Sequence, residues 1–163
     1  MKLPDYITLL NLVSGVVAIY AAIDHHYAWA AVLMLAGVFF DAIDGFVARK
    51  LKLESSFGAD LDSLADLVTF GVAPMVLVSV YYGVAWLSLL ALLIPIAGAL
   101  RLARHNINRH QTKGYLIGLP ITTAGVVIPV LILVHANLYI TATTIAALAI
   151  MFVGSFRVNK LLK

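Results

Sequence analysis

Four aspartates in the first half of the chain are spaced so that their carboxylates can act together. Asp41 and Asp44 lie three residues apart, and Asp62 and Asp66 lie four apart, so each pair occupies one face of a helix. The surrounding sequence is nearly all apolar, and ionisable side chains at membrane depth are costly and usually functional. Two helices that each supply two carboxylates offer the oxygen ligands that a hard divalent cation such as Mg²⁺ prefers. The spacing therefore predicts a metal site, with more than one ion.

The composition is that of an integral membrane protein. Of the 163 residues, 63% are hydrophobic and 12% are charged, and the mean hydropathy is +1.01. A soluble domain is about half apolar and about a quarter charged. The chain has no cysteine, which excludes a disulfide framework and a thiolate metal site. We predict an all-α, polytopic membrane protein in which residues 1–163 form a single domain.

Apolar runs between polar breaks predict six transmembrane helices, since a helix needs about 20 mostly apolar residues to cross the hydrocarbon. The N-terminal segment is too short and too weakly basic for a cleaved signal peptide, so its apolar run is predicted to be a retained first span. Asp60 is predicted to cap the third helix. The six predicted spans cover residues 7–23, 27–48, 61–82, 85–102, 119–135 and 141–156.

The basic residues predict the orientation of these spans. All eleven Lys and Arg side chains fall in the N-terminus, the loop after the second span, the loop after the fourth span and the C-terminus. Because positive charge is retained in the cytoplasm, both termini should be cytoplasmic. The aspartate pairs flank the first basic loop, so the site should face the cytoplasm from a multi-pass protein of the cell membrane. The basic charge therefore indicates topology and anionic headgroups rather than nucleic acid.

Several functions are open for the polar residues inside these spans. Gly45 and Ala48 share a face with Asp41 and Asp44, which suits either close packing of two helices or a groove for a phosphorylated group. The acids suit ion pairs, the proton relay of a small cation or proton transporter, or a metal–phosphate centre. Arg49 beside them favours the last, because two metals can clamp a pyrophosphate and an Arg fork matches phosphate geometry.

The complete run reads Asp41-x-x-Asp44-Gly45-x-x-Ala48-Arg49-(eight residues)-Gly58-x-x-x-Asp62-x-x-x-Asp66. It resembles the full signature of the CDP-alcohol phosphotransferases. The resemblance implies a six-helix membrane enzyme, a homodimer, that moves a phosphatidyl-type group from a CDP-activated lipid to an alcohol and releases CMP. It implies two divalent ions, Mg²⁺ or Mn²⁺, held by the four aspartates. Asp66 would be a ligand or the catalytic base that deprotonates the acceptor hydroxyl.

The same resemblance implies a set of residues that bind the CDP-activated lipid. For the two polar residues of the first span, hydrogen bonding between helices is the alternative role. The implied lipid- and nucleotide-binding residues are Thr8, Asn11, Gly45, Ala48, Arg49 and Gly58.

The segment 62–74 resembles the serine-transferring branch of the family, the phosphatidylserine and archaetidylserine synthases. The predicted acceptor is therefore L-serine, with glycerol phosphate or inositol phosphate as the alternative. Arg101 and Arg104 share a helical face at the end of the fourth span and are predicted to bind the serine carboxylate. The alternative is that both are plain interfacial anchors, since long basic side chains at span ends extend to the membrane surface.

Overall fold

The computed structural model of the chain describes residues 1–108, 115–117, 119–154 and 157–159. Within these residues almost every element is helical, as predicted. One short antiparallel pair joins β1, Tyr115–Ile117, to β2, Arg157–Asn159. The helical segments are α1 Leu3–Ile23, α2 Tyr27–Lys50, α3 Ser56–Asp66, a π-helical segment Leu67–Val72, α4 Ala73–Tyr82, α5 Ala85–Ala91, α6 Leu93–Asn108, α7 Thr122–Leu133 and α8 Leu138–Val153.

Within the described residues, four helices are long and apolar enough to cross a membrane. They are Leu3–Ile23, Tyr27–Lys50, the continuous helix Ser56–Tyr82 and the helix Ala85–Ile107. The helices α7 and α8 are apolar but shorter, with 12 and 16 residues. All six coincide with the predicted spans, and the count of six crossings stays a prediction. Residues 155–156 of the last predicted span, and 109–114 and 118 of the second basic loop, lie outside the described residues.

The connection between α2 and α3 is much shorter than predicted. The helix α2 continues to Lys50 and α3 begins at Ser56, so both helices extend into the predicted loop. The prediction that Asp60 caps the third helix is wrong. Ser55 is the cap, and its Oγ accepts a hydrogen bond from the backbone N–H of Gly58 at 3.0 Å. A serine oxygen satisfies a free N–H of the first turn as well as a carboxylate does.

The opposite end of the bundle carries the short connections after the first, third and fifth predicted spans. Gly83 ends α4 in the left-handed conformation, with φ of 63°, which a glycine adopts without steric cost. The Tyr82 hydroxyl donates to the carbonyl of Ala136 at 2.7 Å, and the Tyr81 hydroxyl lies 2.8 Å from Nδ1 of His135. These contacts tie the turn after α4 to the turn after α7.

Helix α1 buries polar side chains and exposes apolar ones, which is the reverse of the pattern in a soluble protein. In α1 the polar side chains of Thr8, Asn11 and Ser14 are buried, whereas Leu10 and Val13 are half exposed. Such a pattern suits lipid, where apolar side chains gain nothing from burial and polar groups hydrogen-bond between helices. Together with the four long apolar helices, it shows a membrane-embedded protein. Helix α1 packs along α2 and against α3 and α4, while α6 packs on α8.

Candidate active site

A cavity of about 460 Å³ opens at the end of the bundle that carries the 51–55 connection. Helices α1, α2, α3 and α6 form its walls. The structure thus brings most of the predicted site residues to one place, although they come from four separate helices. The predicted residues that line the cavity are Thr8, Asp41, Asp44, Gly45, Ala48, Arg49, Gly58, Asp62, Asp66 and Arg101.

Three of the aspartates converge closely enough to share a cation. Asp41 from α2 and Asp62 and Asp66 from α3 each place a carboxylate oxygen within 4.8 Å of the other two. Asp66 is only 8% exposed, and three like charges this close in a partly buried site repel one another strongly. A divalent cation relieves that repulsion and prefers oxygen ligands. The donor set therefore fits a hard metal ion.

Asp44 stands apart from this cluster of three. Its Oδ2 accepts a hydrogen bond from the Thr8 hydroxyl at 2.7 Å, and the side chain is 5% exposed. Thr8 also lies 3.1 Å from the carbonyl of Pro4 one turn earlier. The contact links α1 to α2 beside the cavity and orients the Asp44 carboxylate. The role of Asp44 as a metal ligand stays a prediction.

Asn11 contacts an aspartate rather than lining the cavity. It is fully buried, and its Nδ2 donates to Oδ1 of Asp66 at 3.2 Å. The backbone carbonyl of the same residue accepts a hydrogen bond from the Thr69 hydroxyl at 3.0 Å. This geometry is that of the hydrogen bonding between helices considered above. The predicted nucleotide contact of Asn11 stays a prediction.

The glycine at position 45 makes room for a guanidinium group. A Cβ built on Gly45 would lie 3.2 Å from Nη1 of Arg49, so the arginine folds back over its own helix toward the cavity. Gly58 serves a different contact, because a Cβ there would lie 2.9 Å from Oδ1 of Asp5. Gly58 therefore lets the start of α3 approach the start of α1 closely at the cavity wall.

The two predicted acceptor-binding arginines occupy different environments. Arg101 lines the cavity, and its Nε is buried without a hydrogen-bond partner in the part of the chain that the structure describes. Arg104 is exposed and lies outside the cavity lining. Its Nη1 donates to the carbonyl of Val153 at 2.9 Å, which ties α6 to α8. The structure does not bring these two side chains together.

Several polar residues for which the sequence predicted no role also line the cavity. Ser63 and Asn106 form a pair, in which Nδ2 of Asn106 donates to Oγ of Ser63 at 3.0 Å. These residues are 43 positions apart, and no local spacing signals such a contact. Asp5 also lines the cavity, and its Oδ2 accepts a hydrogen bond from the backbone N–H of Lys2 at 2.6 Å. The other polar lining residues without a predicted role are Glu54, Ser55, His105 and Thr122.

Known proteins similar to this chain agree with the signature. A family model described as CDP-alcohol phosphatidyltransferase matches residues 1–155. The CDP-diacylglycerol–serine O-phosphatidyltransferase of Bacillus subtilis is 39% identical over 132 residues, which are 79% of this chain and 74% of that protein. The archaetidylserine synthase of Methanothermobacter thermautotrophicus is 40% identical over 132 residues, 78% of this chain and 56% of the relative. A CDP-diacylglycerol–serine O-phosphatidyltransferase of Methanocaldococcus jannaschii is 38% identical over 128 residues, and the match spans 59% of its length.

Proposed function

Because the chain belongs to the CDP-alcohol phosphatidyltransferase family, we propose that it transfers a phosphatidyl or archaetidyl group from a CDP-activated lipid to the hydroxyl of L-serine. CMP is the leaving group. The observation that carries the proposal is the convergence of Asp41, Asp62 and Asp66 inside a cavity at one end of an apolar bundle. The serine acceptor is supported by the names of the three relatives.

The position of the cavity suits an amphipathic substrate. The tails of a CDP-activated lipid belong in the bilayer, whereas its nucleotide belongs in water. The cavity opens beside Arg49, Lys50 and Lys52, at the end of two long apolar helices. Since basic residues are retained on the cytoplasmic side, we assign the site to the cytoplasmic edge of the cell membrane.

The metal site is assigned to Mg²⁺ or Mn²⁺. Asp41, Asp62 and Asp66 would hold the first ion, and Asp44 at the adjacent wall would help to hold a second. When bound, such ions neutralise the pyrophosphate and stabilise the charge that develops on the leaving phosphate.

The side chains of the cavity divide the remaining work. Arg49 binds a phosphate oxygen of the CDP-lipid, and its guanidinium fork suits that geometry. Thr8, Gly45, Ala48 and Gly58 form the walls against which the nucleotide and pyrophosphate lie. Arg101 pairs with the carboxylate of serine, since its buried Nε has no partner among the described residues. Arg104, which contacts Val153, also contributes to serine binding in this proposal, but less than Arg101 does.

The proton of the acceptor goes to Asp66. The serine oxygen forms a bond to the lipid-side phosphorus, and the bond from that phosphorus to the CMP oxygen breaks. Oδ1 of Asp66 accepts from Asn11, so we assign the hydroxyl proton to Oδ2. A general base must lie within hydrogen-bond reach of the proton that it takes, and Asp66 lies in the wall of the cavity.

The alternatives considered from the sequence are not favoured. The names of the three relatives specify serine or archaetidylserine, whereas none specifies glycerol phosphate, inositol phosphate or ion transport. A homodimer and a single domain over residues 1–163 remain part of the proposal.

A direct assay tests the reaction and its acceptor together. The purified chain is incubated with CDP-diacylglycerol, Mn²⁺ and one of serine, glycerol 3-phosphate or inositol 1-phosphate, and CMP release is followed. We expect CMP and phosphatidylserine with serine alone. An Asp62→Asn variant serves as the background. CMP release that depends on glycerol 3-phosphate would contradict the acceptor, and no release with any alcohol would contradict the reaction.

A further inference from the structure

Thr69 follows Asp66 by three residues in the same helix and does not line the cavity. It is the third residue of the π-helical segment Leu67–Val72, which begins directly after Asp66. The side chain is fully buried, and its hydroxyl donates to the backbone carbonyl of Asn11 at 3.0 Å. A π-helical turn inside an otherwise α-helical rod is rare and often occurs at functional sites.

Asn11 is held at two points by this one helix. Thr69 holds its backbone carbonyl, and Asp66 accepts from its side-chain Nδ2 at 3.2 Å. Only the NH₂ end of an amide can donate to a carboxylate, so this contact sets the direction of the Asn11 amide. The amide oxygen, Oδ1, is buried without a partner among the described residues. The bundle thus tolerates the cost of a buried polar atom while the donation to Asp66 is kept.

Two glycines form the space that Thr69 occupies. A Cβ on Gly15 of α1 would lie 2.7 Å from Cα of Thr69, and a Cβ on Gly37 of α2 would lie 2.6 Å from its Cγ2. Real Cβ atoms do not approach other atoms this closely, so a larger residue at either position would displace Thr69. Helices α1, α2 and the π-helical segment therefore meet at this side chain, and its position relative to Asn11 is closely set by packing.

We propose that Thr69 is a positioning residue for Asp66, acting through the side chain of Asn11. The proposal rests on the proposed function, in which Asp66 is a metal ligand or the base. The Thr69 hydroxyl ties the π-helical segment to α1 at Asn11, which sets how closely α1 approaches this helix, and Nδ2 of Asn11 then holds one oxygen of Asp66. The other oxygen is thereby aimed into the cavity. Neighbours that orient a ligand in this way typically change metal affinity or activity by about 10- to 100-fold when removed.

The central variant is Thr69→Val, which keeps the shape of the side chain and removes the donor. We expect the Kd for Mn²⁺, measured by calorimetry without substrates, to rise by about 10-fold or more. We expect kcat for CMP release to fall by a similar factor, with the KM for serine within about 2-fold, since Thr69 touches no substrate. Thr69→Ser keeps the hydroxyl, so its Mn²⁺ Kd and its kcat should stay close to the parent values. Thr141→Val is the matched control, because Thr141 is also fully buried and hydrogen-bonded but lies in α8 beside Tyr82.

A second background separates positioning from a general effect on the fold. In an Asn11→Ala protein the backbone carbonyl remains but the link to Asp66 is gone, so adding Thr69→Val should change the Mn²⁺ Kd by less than 2-fold. Coupled residues show such non-additivity. Equal effects of Thr69→Val in the two backgrounds, or none in the parent, would overturn the proposal. If Thr69→Val fails to fold, Thr69→Ala is tested in the same two backgrounds with the same criteria.

The Mn²⁺ measurement also separates this inference from the proposed function. A parent protein that binds Mn²⁺ but releases no CMP with any alcohol contradicts the proposed reaction, and the Kd comparison still decides the role of Thr69. A parent that neither binds Mn²⁺ nor releases CMP overturns both.

Discussion

At the scale of single residues, the cluster of Asp41, Asp62 and Asp66 makes the clearest prediction. Replacing any of the three by asparagine keeps the shape but removes one negative charge and one anionic ligand. We expect each variant to lose CMP release by at least about 100-fold, the upper range for residues that merely orient a ligand. Asp44→Asn should also abolish turnover if Asp44 holds a second ion. The measurement is initial CMP release, with thermal unfolding as the check that the variants fold.

Asp24 offers the matched control for these substitutions. It is an exposed aspartate at the opposite end of the bundle, after α1, and Asp24→Asn should keep full activity. Chelation with EDTA should stop turnover, and added Mn²⁺ or Mg²⁺ should restore it. Full activity in EDTA would contradict the metal assignment.

The two arginines of α6 make a second residue-level prediction. Arg101 lies in the cavity, whereas Arg104 contacts the Val153 carbonyl outside it. Losing a charged hydrogen-bond donor costs about 1.5–3 kcal/mol, which corresponds to about 10- to 150-fold in affinity. Arg101→Ala should raise the KM for serine by that factor and leave the KM for CDP-lipid nearly unchanged. Arg104→Ala should change serine kinetics less.

Comparison with ethanolamine identifies the group that Arg101 binds. Ethanolamine lacks the carboxylate of serine, so any slow turnover of it should be insensitive to Arg101→Ala. If Arg101→Ala and Arg104→Ala both keep the parent KM for serine, these side chains are interfacial anchors, and serine specificity lies elsewhere in the cavity.

Sequence reasoning predicted the types of the reactive residues better than their contacts. The acids and Arg49 were recognisable because their spacing within each helix is local. The contacts Thr8–Asp44 and Asn11–Asp66 join residues 36 and 55 positions apart. They depend on how the helices are rotated against each other, which periodicity in an almost uniformly apolar sequence does not define. For the same reason the pair Ser63–Asn106 was not foreseen.

At the scale of elements, hydropathy located the helices but not their ends. The connection 51–55 is short because Ser55 caps α3, whereas the sequence offered Asp60 as an equally good cap. The π-helical segment Leu67–Val72 is apolar like the α-helix α4 that follows it, so composition carries no sign of it. Residues 61–82 were predicted as one span, and the continuous helix Ser56–Tyr82 covers them without a break.

A pair of glycines tests how the elements form the cavity. A methyl group at Gly58 would lie 2.9 Å from Oδ1 of Asp5, so Gly58→Ala should push α3 away from α1 at the wall. We expect the KM for CDP-lipid to rise by about 10-fold, with a loss of stability of about 1–3 kcal/mol. The measurements are CDP-lipid kinetics and the thermal midpoint.

Gly83 provides the control for this substitution. Its φ is +63°, and no atom of the described residues lies within 4 Å of a Cβ built there. Gly83→Ala should therefore cost about 1 kcal/mol of stability through backbone strain while the KM for CDP-lipid stays unchanged. A similar KM increase in both variants would indicate a general loosening of the bundle rather than a local effect at the cavity.

At the scale of the whole molecule, the basic residues distinguish one end of the bundle from the other. Lys2, Arg49, Lys50, Lys52 and Arg101 lie on the helix ends and connection around the cavity. His25, His26 and His135 border a second hollow beside Trp29 at the other end. The described part of the chain thus separates the cationic residues from the histidine-bearing turns, as the charge pattern predicted. The number of crossings stays a prediction, because α7 has only 12 residues and about 20 are needed for a full span.

Cysteine labelling tests the orientation and the number of spans in one experiment. The chain has no cysteine, so single substitutions at exposed positions report their side of the membrane without background. In right-side-out cells, a membrane-impermeant maleimide should label His26→Cys and spare Lys52→Cys until the membrane is opened, because basic segments are retained inside.

The number of spans needs a different position, because a reporter at the C-terminus would read cytoplasmic for either four or six crossings. Tyr139→Cys, 72% exposed at the start of α8, separates these counts, since it lies outside only if α7 and α8 both cross. Labelling of Lys52→Cys in intact cells would reverse the orientation, and protection of Tyr139→Cys would reduce the spans to four.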